Sequence, residues 1–242
     1  MATVTDHIRI RIDRKEFPAL GTREANLVLN GLDITIAPRS FVVLTGPSGC
    51  GKSTLLNIVA GLDSDFDGAI ELGNAVKRTS VVFQTPRLLP WRTVRENLLL
   101  SLPDGDPRVA GIGPLLERVG MTEAAGAYPE RLSLGMQRRV ALVRGFVQEP
   151  DLLLMDEPFV SLDDPTAQEL RRVLIDLWTR VRATVIFVTH DRTEAVMLGT
   201  RILRLGRCSA SVLQDDEVRL TPAQRLDPGA VRAEVARIFG DT

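Results

Sequence analysis

The strongest constraint in this chain is the stretch Gly46-Pro47-Ser48-Gly49-Cys50-Gly51-Lys52-Ser53-Thr54. It follows the apolar run Phe41-Val42-Val43-Leu44 and leads into Leu55-Leu56-Asn57-Ile58-Val59-Ala60. Strand, glycine-rich turn and helix, in that order, are the setting a G-x-x-x-x-G-K-[ST] phosphate loop requires. Glycines at 46, 49 and 51 let the backbone turn its N–H groups inward with no Cβ in the way. Together with the positive end of a helix opening near Lys52, those donors suit phosphate oxygens. Lys52 adds a mobile cation for the β- and γ-phosphates, and Ser53 a hydroxyl for Mg²⁺. The chain is expected to bind a nucleoside triphosphate.

At 242 residues, 44% of them apolar and 25% charged, the chain has the length and composition of an ordinary globular protein with a substantial core. Its 30 basic and 31 acidic residues leave a net charge of −1, which gives no electrostatic footprint for nucleic acid. Cys50 and Cys208 are too few for a disulfide framework and fit a reducing compartment. Cys50 lies in the phosphate loop, where a small side chain is all that is needed. The first residues, Met1 to His7, lack the basic-then-apolar pattern of a signal peptide. No apolar run approaches the roughly 18 residues that span a bilayer. A cytosolic protein is expected, with other subunits supplying any membrane span.

Taken in order, Ile8 to Ile12 alternates as a half-buried strand, and Leu32, Ile34 and Ile36 alternate in a second one. Lys15-Glu16-Phe17-Pro18 reads as a loop between them, with Phe17 open either to packing or to stacking on a base. A short strand is expected at Ala69 to Leu72 and another at Thr79 to Phe83. Gln84, just past that strand, stands where ligands bind in α/β proteins. Thr93 is expected to cap a helix through Leu102, and Leu115 to Gly120 reads as a short helix with a glycine stop. Ser133 caps a helix to about Gln148, with Val140, Leu142, Val143 and Val147 as its main apolar positions.

The apolar run 152–155 predicts a strand buried on both faces, ending in Asp156 and Glu157. Two carboxylates at such a tip are costly unless they serve a cation or a reaction. Asp156 is assigned to the Mg²⁺ shell and Glu157 to polarising a water against the γ-phosphate. A helical stripe runs from Pro165 to Arg182 and includes Trp178. Thr184 to Thr189 is a further buried strand, and His190 at its end is assigned to the γ-phosphate, whereas His7 is read as structural. Strands near 201–205 and 208–213 follow, and the tail from Asp215 ends in a small helix with Val231, Val235 and Ile238 on one face.

This set resembles the ATP-binding subunit of ABC transporters, over nearly the whole chain to about residue 213. Residues 46–54 and Asp156–Glu157 match the Walker A and B motifs, Gln84 the Q-loop, Ser161-Leu162-Asp163 the D-loop and His190 the switch histidine. Phe17 looks like the aromatic that stacks on adenine. Leu132-Ser133-Leu134-Gly135-Met136 occupies the place of the LSGGQ signature. Leu88-Leu89-Pro90-Trp91-Arg92-Thr93-Val94 and Tyr128-Pro129-Glu130-Arg131 resemble segments of bacterial importers of the nitrate, sulfonate and taurine group. There the helical insertion and Q-loop receive a coupling helix of the membrane subunit, which makes Trp91, Leu88 and Leu89 candidates for that interface or for core packing.

The resemblance implies an α/β fold: a RecA-like P-loop core, an antiparallel β subdomain and an inserted α-helical subdomain at about 87–150. The cassette is expected over 1–214 and a short tail with one helix over 215–242. It also implies ATP and Mg²⁺ as ligands, Mg²⁺ being held by Ser53, Gln84 and Asp156. Two subunits are expected to close head-to-tail, so that Ser133, Gly135 and Asp163 of one face the nucleotide on the loop of the other. Further partners are integral membrane permease subunits and, indirectly, a periplasmic or extracellular substrate-binding protein, with no nucleic acid. The expected place is the cytoplasmic face of the bacterial plasma membrane. The rival readings are an exporter or lipid-moving ATPase and a soluble non-transport ABC ATPase. Two departures from the family pattern stand out. Leu134 replaces a glycine, where a bulky side chain is expected to restrict close approach, and Gln137-Arg138 reverses the usual order.

Overall fold

The computed structural model describes residues 6–19, 25–206 and 211–240. The chain forms two compact units, residues 1–76 with 184–242 and residues 77–183. The first unit opens with β1 (Ile8–Phe17), β2 (Asn26–Ile36), β3 (Phe41–Thr45), α1 (Lys52–Val59) and β4 (Asp67–Glu71). The second holds β5 (Thr79–Val82), α2 (Val94–Leu99), α3 (Ile112–Arg118), α4 (Leu134–Val147), β6 (Leu152–Asp156) and α5 (Asp164–Val181). The chain then returns to the first unit for β7 (Thr184–Val188), α6 (Arg192–Leu198), β8 (Arg201–Leu205), β9 (Val212–Glu217) and α7 (Pro228–Phe239).

In the first unit β1 lies between β2 and β4, antiparallel to both. Ile8, Ile10 and Ile12 point into the core opposite Ile36, Ile34 and Leu32, while Arg9 and Arg11 face out, as period-2 alternation requires. The loop expected at Lys15 to Pro18 is corrected here. The strand runs on through Phe17, which pairs with Asn26 across a register shift between Lys15 and Glu16. The shift turns Lys15 inward, where its Nζ donates to Asp63 Oδ1 at 3.0 Å and to the Asp65 carbonyl. Alternation alone cannot foresee a buried lysine whose partners lie some fifty residues away.

The second sheet of this unit places β3 between β7 and β8, parallel to both, with β9 antiparallel on β8. All five residues of β3 and of β7 are buried, the pattern of strands covered on both faces. The last strand runs over Val212–Glu217 rather than 208–213, residues 207–210 lying outside the described set. Asp215 is part of it and takes a two-pronged bond from Arg201 at 2.7 and 2.6 Å. Helix α7 packs against α6, burying Val231 and Ile238, with Val235 half-buried. Arg225 ties the same tail to α6 by donating to the carbonyls of Val196 and Met197.

In the second unit β5 and β6 pair in parallel. Val94, Leu98, Ile112, Leu116, Val140 and Val143 form the centre of a helical core. The helix from Thr93 has a full capping box with Glu96 but stops at Leu99 instead of Leu102. Leu88 packs on that core, whereas Trp91 is 69% exposed, so the structure separates the two residues that the sequence left together.

Candidate active site

In the first unit the phosphate loop connects β3 to α1. Two of its glycines are required by geometry. At Gly46, φ +150°, a Cβ would lie 2.7 Å from the Leu205 carbonyl oxygen. At Gly51, φ +96°, it would lie 2.8 Å from the side chains of both Leu29 and Val28. Any larger residue would push the loop off its support. Gly51 precedes α1 with no side-chain cap, and the first turn carries no acidic residue, so its N–H groups remain for an anion. Leu55, Leu56, Ile58 and Val59 anchor the helix in the core behind them.

Lys52 is only 6% exposed, and its Nζ donates to the carbonyls of Gly46 and Pro47, both at 2.9 Å. The ammonium is thus curled inside the loop it serves. Pro47 is half-buried, Ser48 and Gly49 are exposed, Cys50 is a buried free thiol, and Ser53 is exposed at the second position of α1 with Thr54 half-buried behind it. The residues present suit a polyphosphate: inward-turned backbone, an uncapped helix start, a cation and a hydroxyl. Phe17 is exposed, with Lys15 Nζ 4.8 Å from its ring centre, so a cation already supports this ring.

His190 follows β7 and is exposed. Its neighbours on both sides are locked. Asp191 caps α6 through Glu194 N at 3.0 Å, and Asp191 N donates to Thr189 Oγ1, also at 3.0 Å. Thr189 Oγ1 donates in turn to the buried Glu194 carboxylate at 2.7 Å. Sequence reading missed α6 and this network, although Asp191 and Glu194 have the spacing of a helix start.

In the second unit Gln84 is exposed two residues past β5, and Asp156 closes β6, half-buried. Glu157 follows with φ +43°, a left-handed conformation uncommon for a residue with a side chain. Two arginines of α4 tie down the turns beside these groups. Arg144 donates to the carbonyls of Pro86 and Arg87 at 2.8 and 2.9 Å, and Arg138 to that of Pro158 at 3.0 Å. Arg144 was not singled out from the sequence, and Arg138 only for its reversed order with Gln137, because a helical arginine shows its burial only once its carbonyl partners are placed.

Ser133, Gly135 and Asp163 are brought together. With Leu134, Arg139 and Thr166 they line one concavity of about 310 Å³. Ser133 caps α4 by accepting from Met136 N at 3.2 Å, and Asp163 caps α5 by accepting from Thr166 N and Oγ1 at 3.1 and 3.0 Å. The bonds from Thr166 hold the Asp163 carboxyl below its ordinary pKa. Leu134 occupies the first position of α4, is 45% exposed, and is not among the positive-φ residues. Nothing in the backbone of this first helical position calls for a glycine, so the departure at Leu134 is one of side-chain bulk on the exposed surface. Among the described residues no group of three or more His, Cys, Asp or Glu is placed to hold a metal. A divalent cation at such a loop would draw on phosphate oxygens as well as protein ones.

The model of the ABC transporter family matches residues 29–160, more than half of the chain and inclusive of every motif from the phosphate loop to Glu157. The chain belongs to the ABC transporter family. The aliphatic sulfonates import ATP-binding protein SsuB of Bacillus subtilis is 40% identical over 97% of this chain and 95% of its own length. The protein named SsuB 1 of Pseudomonas savastanoi pv. phaseolicola is 42% identical over 91% and 90%. Among solved structures, a dimeric bacterial ABC transporter cassette superimposes with a TM-score of 0.75 at 28% identity, covering 88% of this chain and all of the other. A post-hydrolysis state of the same cassette, bound to ADP and Pi, gives 0.72 at 27% identity and the same coverage. The RecA-like ABC fold with its antiparallel β subdomain is thereby shown, and this ABC subunit is an ATP hydrolase.

In this family the surface around Ser133 is the one expected to face a second subunit's nucleotide. Because the Leu134 side chain lies on that surface and outside the core, Leu134→Gly is expected to leave ATP hydrolysis equal or higher. Its cost is the helix propensity of glycine, about 1 kcal/mol. Steady-state ATPase assays beside a thermal melt check both statements; a collapse in activity with the melt preserved would give the leucine a role of its own.

Proposed function

We propose that the chain hydrolyses ATP to power a bacterial importer of small sulfonates. One observation carries the cargo and direction: similarity along nearly the full chain to two proteins named for aliphatic sulfonate import. The exposed Trp91, beside the capped start of α2, adds an apolar surface of the kind a permease helix can cover. Among the described residues no helix is long and apolar enough to cross a membrane, which fits a peripheral subunit at the cytoplasmic face.

The loop N–H groups and Lys52 bind the triphosphate, and Phe17 stacks on the adenine. Ser53, Asp156 and Gln84 are the residues that would hold Mg²⁺, which neutralises charge on the β- and γ-phosphates when bound. Glu157 accepts a hydrogen bond from the attacking water and orients it, while His190 and Gln84 respond to the γ-phosphate. Ser133 and Gly135 at the start of α4, with Asp163 nearby, face the nucleotide held by a second subunit, so two copies close around two ATP molecules. Hydrolysis removes the reason for closure, and the permease follows the dimer between two states. A secreted binding protein delivers the cargo.

The test is uptake of a radiolabelled alkanesulfonate by cells that lack this chain and by cells in which it has been restored. Uptake should require the chain and be lost with the Lys52→Met variant. Uptake that persists without the chain, or nitrate uptake failing in its place, would assign a different cargo.

A further inference from the structure

Helix α4 buries a charge. Arg138 is 8% exposed, yet its Nε has no hydrogen-bond partner and its guanidinium reaches the Pro158 carbonyl through Nη1 at 3.0 Å. Val82, Phe83, Leu142, Phe159 and Leu170 line the space around it. Burial holds its pKa below the ordinary arginine value, and no neighbouring charge offsets that effect. A cation kept in apolar surroundings for a single carbonyl is expensive, and a hydrophobic side chain of like volume would pack there at less cost. Packing does not explain it.

The carbonyl it grips belongs to the residue directly after Glu157. Glu157 has φ +43° and Ser161 φ +60°, so the turn 157–161 has a left-handed residue at each end. Conformations of this kind persist only where their surroundings over-determine them. Within the turn the backbone bonds are long, Val160 N to Glu157 O at 3.3 Å and Leu162 N to Phe159 O at 3.4 Å. The Arg138 bond is shorter and comes from a separate, rigid element. Pro158 and Phe159 are buried, so the far side of the turn is fixed by packing while Glu157 is left half-buried.

We infer that Arg138 is the positioning residue for Glu157. By holding the Pro158 carbonyl it fixes the left-handed backbone from which the Glu157 carboxylate projects. The reversed Gln137-Arg138 order thereby has a consequence. Gln137 turns the other way, its Nε2 donating to the carbonyls of Pro129 and Leu132 at 3.0 and 3.2 Å just before the signature. One residue orders the approach to the signature and the next orders the catalytic turn. The inference rests on Glu157 being the water-orienting carboxylate.

The test uses the full chain with Arg138→Met, Arg138→Lys, Glu157→Gln and the double variant Arg138→Met/Glu157→Gln. Arg138→Met should lower kcat for ATP about 10–100-fold through misplacement of the carboxylate, with KM for ATP unchanged. Arg138→Lys, which keeps a donor within reach of the carbonyl, should recover part of the loss. On the Glu157→Gln background Arg138→Met should cost nothing further, since residues acting through one group are not additive, and ATP-driven dimerisation should survive. A wild-type kcat in Arg138→Met would overturn the inference. So would loss of ATP-driven dimerisation in the double variant, which would mean that Arg138 supports α4 as a whole. If Arg138→Met does not fold, Arg138→Leu, which also removes the donor, takes its place: lowered kcat at constant KM supports the role, and wild-type kcat removes it. Wild-type hydrolysis by Glu157→Gln would instead remove the assignment of Glu157 itself, and the inference with it.

Discussion

Glu157→Gln is expected to lower kcat for ATP hydrolysis by about 10²–10⁴-fold, the usual contribution of a positioned general base, while ATP affinity stays at the wild-type level. The substitution is close to isosteric. A carboxylate can accept the proton of an attacking water or hold it by a charged hydrogen bond, and a neutral amide can do neither well. The backbone demand is the same in both, since Glu157 sits at φ +43° whichever side chain it carries. Glu157 also lies outside the phosphate loop, past the end of β6, so the residues that grip the triphosphate are left intact. Rapid-quench measurement of a single turnover, beside equilibrium binding of a fluorescent ATP analogue, separates the two effects. Equal losses in binding and turnover would place Glu157 in the grip on nucleotide instead of in the chemistry.

Lys52→Met is expected to fail one step earlier, at binding. The lysine Nζ now satisfies the Gly46 and Pro47 carbonyls and is the one cation of the loop itself. A phosphate oxygen in their place makes a charge-assisted bond worth about 1.5–3 kcal/mol, and methionine offers none. Affinity for ATP should fall about 10–100-fold, each factor of ten being about 1.4 kcal/mol. Methionine fills the volume of the lysine stem against the buried residues of α1, so the fold should survive, and far-ultraviolet circular dichroism checks that. Calorimetric titration with ATP reads the affinity directly. Unchanged affinity would mean that the backbone cradle alone holds the phosphates.

The parts of the molecule legible in the sequence are those set by local pattern. The five buried residues of β3 and of β7 are continuous apolar runs, and the caps Thr93 and Ser133 precede their helices as capping physics dictates. The glycines of the phosphate loop belong with them, because their positive φ is a property of a short stretch. What stayed hidden depends on partners distant in the chain. The bulge at Lys15 and the inward lysine need Asp63 and Asp65. The buried Arg138 and Arg144 need carbonyls from the turns after Glu157 and Gln84, and α4 without those turns reads as a helix with scattered surface charge. Helix α6 was missed for a different reason: at seven residues it is too short for a periodic stripe, and the Asp191–Glu194 spacing at its start is all that marks it.

In the proposed mechanism two copies of the chain close around ATP, each presenting Ser133, Gly135 and Asp163 to the nucleotide of the other. The most direct measurement is sedimentation of the Glu157→Gln chain with and without ATP, since a variant that binds but does not turn over should accumulate in the closed state. A single species of twice the chain mass is expected with ATP, and the monomer without it. A monomer at every ATP concentration, with ATP binding intact, would contradict the mechanism.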